Sequence, residues 1–260
     1  MITIPGPSDS RWKRVCIFVD GENFRFSLGN LFRDGVYRFK AHDYLPEADW
    51  HGFFQALCAR PGWELVRVYW YVTREIDYWP YKIPFAWEAK RRFLRGQGIL
   101  RRLTDQGCTF SEGNAGLKEA EEELRQRRQT IQKRADGWQE IHTSIEHRFN
   151  QIQFQRFGTI RYDLAQRSFG TEKGVDTQLA TDLIALSGIY DVALLVSGDA
   201  DYIPPVSAVK NLGKLVYSVS FLTADGTKLP GGAWRLERSV DGQIELPFDE
   251  VRDRLGVEQE

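Results

Sequence analysis

The sequence predicts an α/β protein with a central, mainly parallel sheet. Three observations predict it: short apolar runs without alternation, helical segments between those runs, and polar or acidic residues where each run stops. Residues 15 to 19, VCIFV, are apolar throughout and rich in β-branched side chains, as in a strand covered on both faces, and the run ends at Asp20. GENFRFSLGNLF then carries a helical signal. An aromatic, polar connection through HDYLPEADW leads to a second helical stretch around 50 to 59. ELVRVYWYV at 64 to 72 is the next strand, on its Val, Tyr and Trp content. Residues 85 to 105 read as helix, with Phe85, Ala89, Phe93 and Leu100 at helical intervals and Arg91, Arg95 and Arg102 near a common basic face. CTFSE at 108 to 112 reads as a short strand.

From 115 to 155 the chain becomes highly charged and helical. Leu117, Leu124, Ile131, Trp138, Ile145 and Ile152 recur every seventh residue, but the intervening d positions are mostly polar and Gly137 interrupts the run. The pattern predicts a helical insertion over 113–156, as one long helix or a hairpin turning near Asp136 and Gly137. Its apolar stripe would pack on its own domain or on a second copy in a homo-oligomer; a solvated arm with one apolar seam is the plainer alternative. FGTIRYD at 157 to 163 resumes the strand signal. GTEKGVDTQLATDLIALSGIY reads as a loop entering an amphipathic helix, DVALLVSGD as a buried strand, DYIPPVSAVKNLG as a helix with a glycine stop, and KLVYSVSFL as another strand. The remainder, GGAWRLERSVDGQIELPFDEVRDRLG, reads as two short helical pieces around a polar turn. The whole of 1–260 is expected to form a single domain around that insertion.

The 35 basic and 36 acidic residues nearly cancel, so any nucleic-acid contact must come from local clusters of Lys and Arg. Cys16, Cys58 and Cys108 match neither a disulfide framework nor a zinc pattern and are expected to be buried thiols. MITIPGPSDSRWKR has no apolar leader core, and no stretch approaches the roughly 18 apolar residues of a membrane span, so a cytoplasmic protein with no membrane partner is expected.

In an open parallel sheet, ligands collect beyond the carboxyl ends of the strands. Asp20 ends VCIFVD, and Asp199 and Asp201 follow LLVSG, so topology sends three carboxylates to one edge. In KGVDTQLATD the apolar stripe is Val175, Leu179, Leu183 and Leu186. Asp182 falls about 20° from Val175 on that wheel, while Asp176 lies on its flank near the helix start. A lone buried carboxylate is costly and must be paired, hydrogen-bonded or metal-bound. Each acid also has a plain structural reading: Asp176 or Asp201 as a helix cap, Asp20 closing a turn with Gly21. Convergent carboxylates repel one another unless a cation neutralises them, and oxygen ligands without His or Cys suit Mg²⁺ or Mn²⁺. His42, His51, His142 and His147 follow no metalloenzyme spacing. Phosphate-binding glycine loops and the serine hydrolase elbow are absent, and DGEN puts Glu22 where aspartyl-phosphate chemistry would want a second Asp.

Three segments, IFVDGENF, KGVDTQLATDLI and LLVSGDADYIPPVSAVKNLGKLVYSV, together resemble the NYN domain of the PIN-like nuclease superfamily, particularly its bacterial LabA-like branch. The resemblance runs over about 12–112 and 157–245. It implies a PIN-like α/β/α sandwich and a metal-dependent ribonuclease in which Asp20, Asp176, Asp199 and Asp201 hold Mg²⁺ or Mn²⁺ and Asn23 stands beside the first. It places Asp182 and Ser197 as supports that orient those ligands or a bound phosphate, and Lys173 at a phosphate. The 113–156 insertion departs from the family pattern. So does the crowding of Tyr69, Trp70, Tyr71, Tyr78, Trp79 and Tyr81 among Arg74, Lys82, Lys90, Arg91, Arg92 and Arg95, which would stack and anchor single-stranded or tRNA-like RNA if the rings are exposed, or form core if they are not. The expected function is thus RNA hydrolysis at an acidic Mg/Mn site. The alternatives are a non-catalytic RNA- or protein-binding module of the same fold and a phosphatase of small metabolites.

Overall fold

A computed structural model describes residues 12–33 and 47–257. Most of the connection expected before the second helix, His42 included, lies outside the described residues. The chain divides into two compact units: 1–72 with 141–156 and 175–260, and 73–140 with 157–174.

The first unit is a three-layer α/β sandwich. Strands β1 (Lys13–Asp20), β2 (Trp63–Trp79, as far as Val72), β5 (Val192–Val196) and β6 (Leu215–Leu222) run parallel in the order β2-β1-β5-β6. A further strand, β8 (Gly242–Leu246), pairs parallel to β6, and the short β7 (Lys228–Leu229) pairs antiparallel to it. The start of β3 (Ile152–Asp163) lies beside β2. β1 shows why the layers form. Val15, Ile17 and Val19 point into one core, with Phe24 of α1 (Gly21–Leu31), Phe53 of α2 (Trp50–Leu57) and Val251 of α9 (Phe248–Leu255). Cys16 and Phe18 point into the other, with Leu179 and Leu183 of α6 (Val175–Ala185) and Val206 and Val209 of α7 (Ile203–Asn211). All five β1 side chains are fully buried, and burial of each large apolar one stabilises by about 1.5–3 kcal/mol. A run without alternation is what a strand between two helical layers requires.

The second unit contains the rest of β2, α3 (Trp87–Gly96), α4 (Ile99–Asp105), α5 (Gly113–Arg148, as far as Glu140), and a hairpin of β3 with β4 (Ser168–Lys173). Its core joins Leu94, Ile99 and Leu103 to Leu117, Leu124 and Ile131 of α5 and Tyr162 of β3. The charged segment is therefore one continuous helix through Gly137, without a hairpin. Five of its six heptad residues are buried within its own chain, Leu117, Leu124 and Ile131 in this core and Ile145 and Ile152 in the first unit, while Trp138 is half-buried. The heptad stripe of α5 is thus mostly taken up by its own chain, and the structure does not support an oligomer through 113–156.

Several elements differ from the sequence expectation. The stretch 85–105 is two helices, because Gly98 takes a left-handed conformation (φ 65°) between them. Phe85 lies before the first helix and is fully exposed, while Lys90 and Leu94 form the buried face, Lys90 paired with Glu121. CTFSE is not a strand: the backbone N–H and hydroxyl of Ser111 both donate to Glu119, which binds this segment to the first turns of α5. β4 is exposed on both faces and so carries no apolar alternation, and β8 stands where a polar turn between helices is expected. The aromatic cluster is mostly core. Tyr69, Trp70, Tyr71 and Tyr78 are buried, the Arg102 guanidinium covers Trp79 at 4.6 Å, and Tyr81 alone of the six is exposed. Cys16 and Cys58 are buried as expected, whereas Cys108 is half-buried beside Arg127.

Candidate active site

The site lies where β1 and β5 end. Asp20 is both the last residue of β1 and the N-cap of α1, accepting from the Asn23 N–H at 3.1 Å through Oδ1. Helix α1 turns away at once because Gly21 has no side chain: a β-carbon there would lie 2.3 Å from the Tyr71 carbonyl oxygen. Asp20 is 4% exposed. Its Oδ2 accepts from Ser197 Oγ at 2.9 Å and lies 3.4 Å from the Tyr202 hydroxyl. That hydroxyl donates to Asp176 Oδ1 at 2.9 Å, so one phenol stands between two carboxylates. Ser197 Oγ accepts from the Asp199 N–H at 3.1 Å, and Asn23 Oδ1 accepts from the Gly198 N–H at 3.3 Å. Asp199 in turn caps the turn Ala200–Tyr202, accepting from the Asp201 N–H at 2.9 Å.

Asp20, Asn23, Asp176, Ser197 and Asp199 are thus joined in one network, with Asp201 exposed at its margin. Asp182 belongs to another hydrogen-bonded set, accepting from the Tyr71 hydroxyl at 3.0 Å and from Gln178 Nε2 at 2.9 Å. The expected RNA-contacting residues lie in the second unit. Lys173 is exposed at the end of β4, Arg74 is exposed beside Glu75, and Arg91 and Arg95 are exposed on α3. Arg102 departs from the basic face, since it bonds Asp163 and the Gln97 carbonyl.

The electrostatics follow from burial and crowding. Burial first, with the charges of Asp176 and Asp199 added, raises the Asp20 pKa from 3.8 to about 6, against the opposing hydrogen bonds from Asn23 and Ser197. The Tyr202 hydroxyl is pushed far up by burial and by the same acids, so it stays a proton donor at any physiological pH. Tyr202 is the one member of the network to which the sequence patterns assign no role, because a Tyr after Asp-Ala-Asp reads as ordinary core. Its only sequence signal is a polar-tipped ring placed where two acids converge.

The family model for the NYN domain matches residues 106–246. The chain belongs to the NYN domain family. NYN domains are part of the PIN-like nuclease superfamily, a ribonuclease family in general, and the three-layer sheet accords with that fold. The NYN match contains Asp176, Asp182, Ser197, Asp199 and Asp201; Asp20 and Asn23 precede it. No functionally curated protein matches the chain. A solved structure of a protein of unknown function from Vibrio parahaemolyticus aligns over 92% of this chain and 96% of its own at 17% identity, with a TM-score of 0.40, a likeness too slight to bear on fold or function.

PIN-like nucleases usually use divalent metals. Among the described residues of this NYN protein, no group of three or more His, Cys, Asp or Glu is arranged to hold a metal ion. The donors nonetheless fit such a cation in kind: they are carboxylate and amide oxygens, with the pKa of the Asp20 carboxyl raised by burial first and by the charges of Asp176 and Asp199.

Proposed function

We propose that the protein is a Mg²⁺- or Mn²⁺-dependent ribonuclease of the LabA-like branch, acting as an endonuclease on single-stranded or tRNA-like regions of RNA in the cytoplasm. The observation that carries the reading is an aspartate, Asp20, joined by hydrogen bonds to Asp176 and Asp199 through Tyr202 and Ser197 at the carboxyl edge of the sheet of an NYN chain, and made hard to ionise by its burial first and by those two acids. On this reading Asp20, Asp176, Asp199 and Asp201 would hold the cation, and residues 113–156 are an insertion into a single NYN domain. When bound, the cation supplies positive charge against the charge that develops on a phosphodiester under attack and lowers the pKa of water. The chain's own residues prepare the site. Asn23 and Ser197 fix the Asp20 carboxylate from both of its oxygens, Tyr202 keeps a proton between Asp20 and Asp176, and Asp182 is held by Tyr71 on the same helix as Asp176. Lys173, Arg74, Arg91 and Arg95 would meet RNA phosphates as exposed cations.

The test is cleavage of single-stranded RNA by the purified protein with added Mn²⁺, and its loss in Asp199→Asn. Cleavage that survives this substitution refutes the assignment. One observation favours a second reading, a non-catalytic RNA-binding module: Asp20 and Asp199 already serve as caps for α1 and for Ala200–Tyr202. Salt-dependent RNA binding without metal-stimulated turnover would decide for it.

A further inference from the structure

Gly198, between Ser197 and Asp199, has no room for a side chain: a β-carbon there would lie 2.3 Å from Cγ of Pro230 and 3.2 Å from Cβ of Ala233. Pro230 and Ala233 of the segment LPGGAW (229–234) therefore pack against the acidic turn, and Ala233 leads into the short helix α8 (Trp234–Glu237). Leu236 fixes α8 in the same core as Tyr202, which leaves Trp234 turned outward and 52% exposed. A tryptophan carries on the order of 200 Å² of surface available for burial, so half of it left in water is a large exposed apolar area. The guanidinium groups of Arg235 and Arg238 stand over the indole ring, 5.3 and 5.1 Å from its centre, on exposed side chains that an incoming base can displace toward its own phosphate. Both are exposed, and among the described residues neither makes an ion pair.

We propose that Trp234, Arg235 and Arg238 form a docking site for one unpaired nucleotide of a single-stranded RNA, with the base stacked on the indole and its phosphate held by the two guanidinium groups. The choice of RNA rests on the ribonuclease reading; the site itself rests on the geometry. An exposed indole offers a π-face that any unpaired base fits, and guanidinium groups with no carboxylate partner complement a phosphate. Location supplies the reason for such an anchor. The carboxylates beginning one residue from Gly198 repel RNA, and a cationic, aromatic rim offsets that repulsion while leaving the neighbouring phosphodiester at the acids. A duplex has its base faces stacked internally and has none to offer.

The experiment measures anisotropy of a labelled, unstructured 12-nucleotide RNA in EDTA, alone and annealed to its complement, with the full-length protein. Trp234→Ala should weaken single-strand binding on the order of tenfold, the scale of one base stack, and Trp234→Phe should restore most of it. Duplex binding should not respond to either. Arg235→Ala with Arg238→Ala should flatten the dependence of log K on log salt by about 0.7 for each phosphate that is no longer neutralised. The proposal is overturned if Trp234→Ala binds the single strand as tightly as the wild type, if it weakens single strand and duplex equally, or if the wild type binds no single-stranded RNA. Mn²⁺-dependent cleavage and its loss in Asp199→Asn judge the nuclease reading separately. Cleavage with binding indifferent to Trp234 sinks only the docking site, and Trp234-dependent binding by a protein that never cleaves sinks only the nuclease.

Discussion

Replacing Asp20 by Asn should stabilise the metal-free protein at neutral pH while abolishing metal-dependent cleavage. The folded state holds the Asp20 carboxyl at a pKa of about 6 against an ordinary value of 3.8. A raised carboxylate pKa means that the native state binds the proton more tightly than the unfolded chain does. Its contribution is therefore neutral below about pH 4, where both states are protonated, turns unfavourable as pH rises from about 4 to 6, and is constant above that. The difference of about two pK units corresponds to about 3 kcal/mol at pH 7.5. Asn preserves the shape, remains a good N-cap for the Asn23 N–H, and presents an amide that Ser197 Oγ and the Tyr202 oxygen can accept by turning their protons. In EDTA, urea unfolding should show Asp20→Asn more stable than wild type by up to about 3 kcal/mol at pH 7.5, with the two converging near pH 4. Added Mn²⁺ should raise the wild-type midpoint and leave that of the variant unmoved. A variant less stable than wild type at pH 7.5, or a difference that ignores pH, would refute the reasoning.

Three further outcomes follow from burial and packing. His142 is buried, stacked on Phe154 at 4.3 Å, and held neutral: burial first, then the Arg156 charge, lowers its pKa from 6.5 to about 3. A depressed histidine contributes fully above pH 6.5 and loses that contribution as pH falls toward 3, so up to about 5 kcal/mol of stability should disappear across that window, and His142→Leu should remove this part of the acid sensitivity in urea titrations. Gly198→Ala forces a methyl into Pro230 and should destabilise by about 1–3 kcal/mol, with loss of cleavage because the acidic turn must shift; an unchanged melting temperature would count against the packing described. Leu124→Ala should lower stability by about 2–4 kcal/mol without changing the elution volume of the folded protein, as expected for a side chain buried in its own unit and not in a dimer seam.

The fold was legible wherever a segment's own composition carries the signal of its surroundings. VCIFV and VALLV are apolar on both faces because helices cover both faces, and no other sequence pattern would survive there. Legibility failed where tertiary partners decide. Ser168–Lys173 pairs with Thr159–Asp163 while exposing both faces, so its sequence contains no alternation to read. CTFSE has strand-like residues, but Glu119 takes the Ser111 N–H, and Ser111 faces a glycine at 116 whose β-carbon would lie 1.9 Å from the Ser111 carbonyl oxygen. The heptad over 117–152 is periodic enough to suggest a partner helix, yet periodicity states only that a stripe is covered, not by what.

The same distinction governs the site. Carboxylates are legible because an acid at the end of a buried strand or within an apolar stripe is costly, and the cost demands a partner. The partners are not legible, because tyrosine is at home in a core. Helix α6 carries Asp176 and Asp182 six residues apart, and each accepts from a buried phenol, Tyr202 from the turn after β5 and Tyr71 from β2. Two tyrosines therefore give each acid a partner and tie α6 to β2 and to the turn that carries Asp199. With its hydroxyl pKa pushed far up, Tyr202 can offer only its single proton to the pair Asp20 and Asp176, and the shorter bond gives it to Asp176. Asp20 is left with the poorer share of that proton in the most buried part of the network; its burial, with the charges of Asp176 and Asp199 added, prevails over the hydrogen bonds from Asn23 and Ser197, and its carboxyl holds a proton of its own toward pH 6.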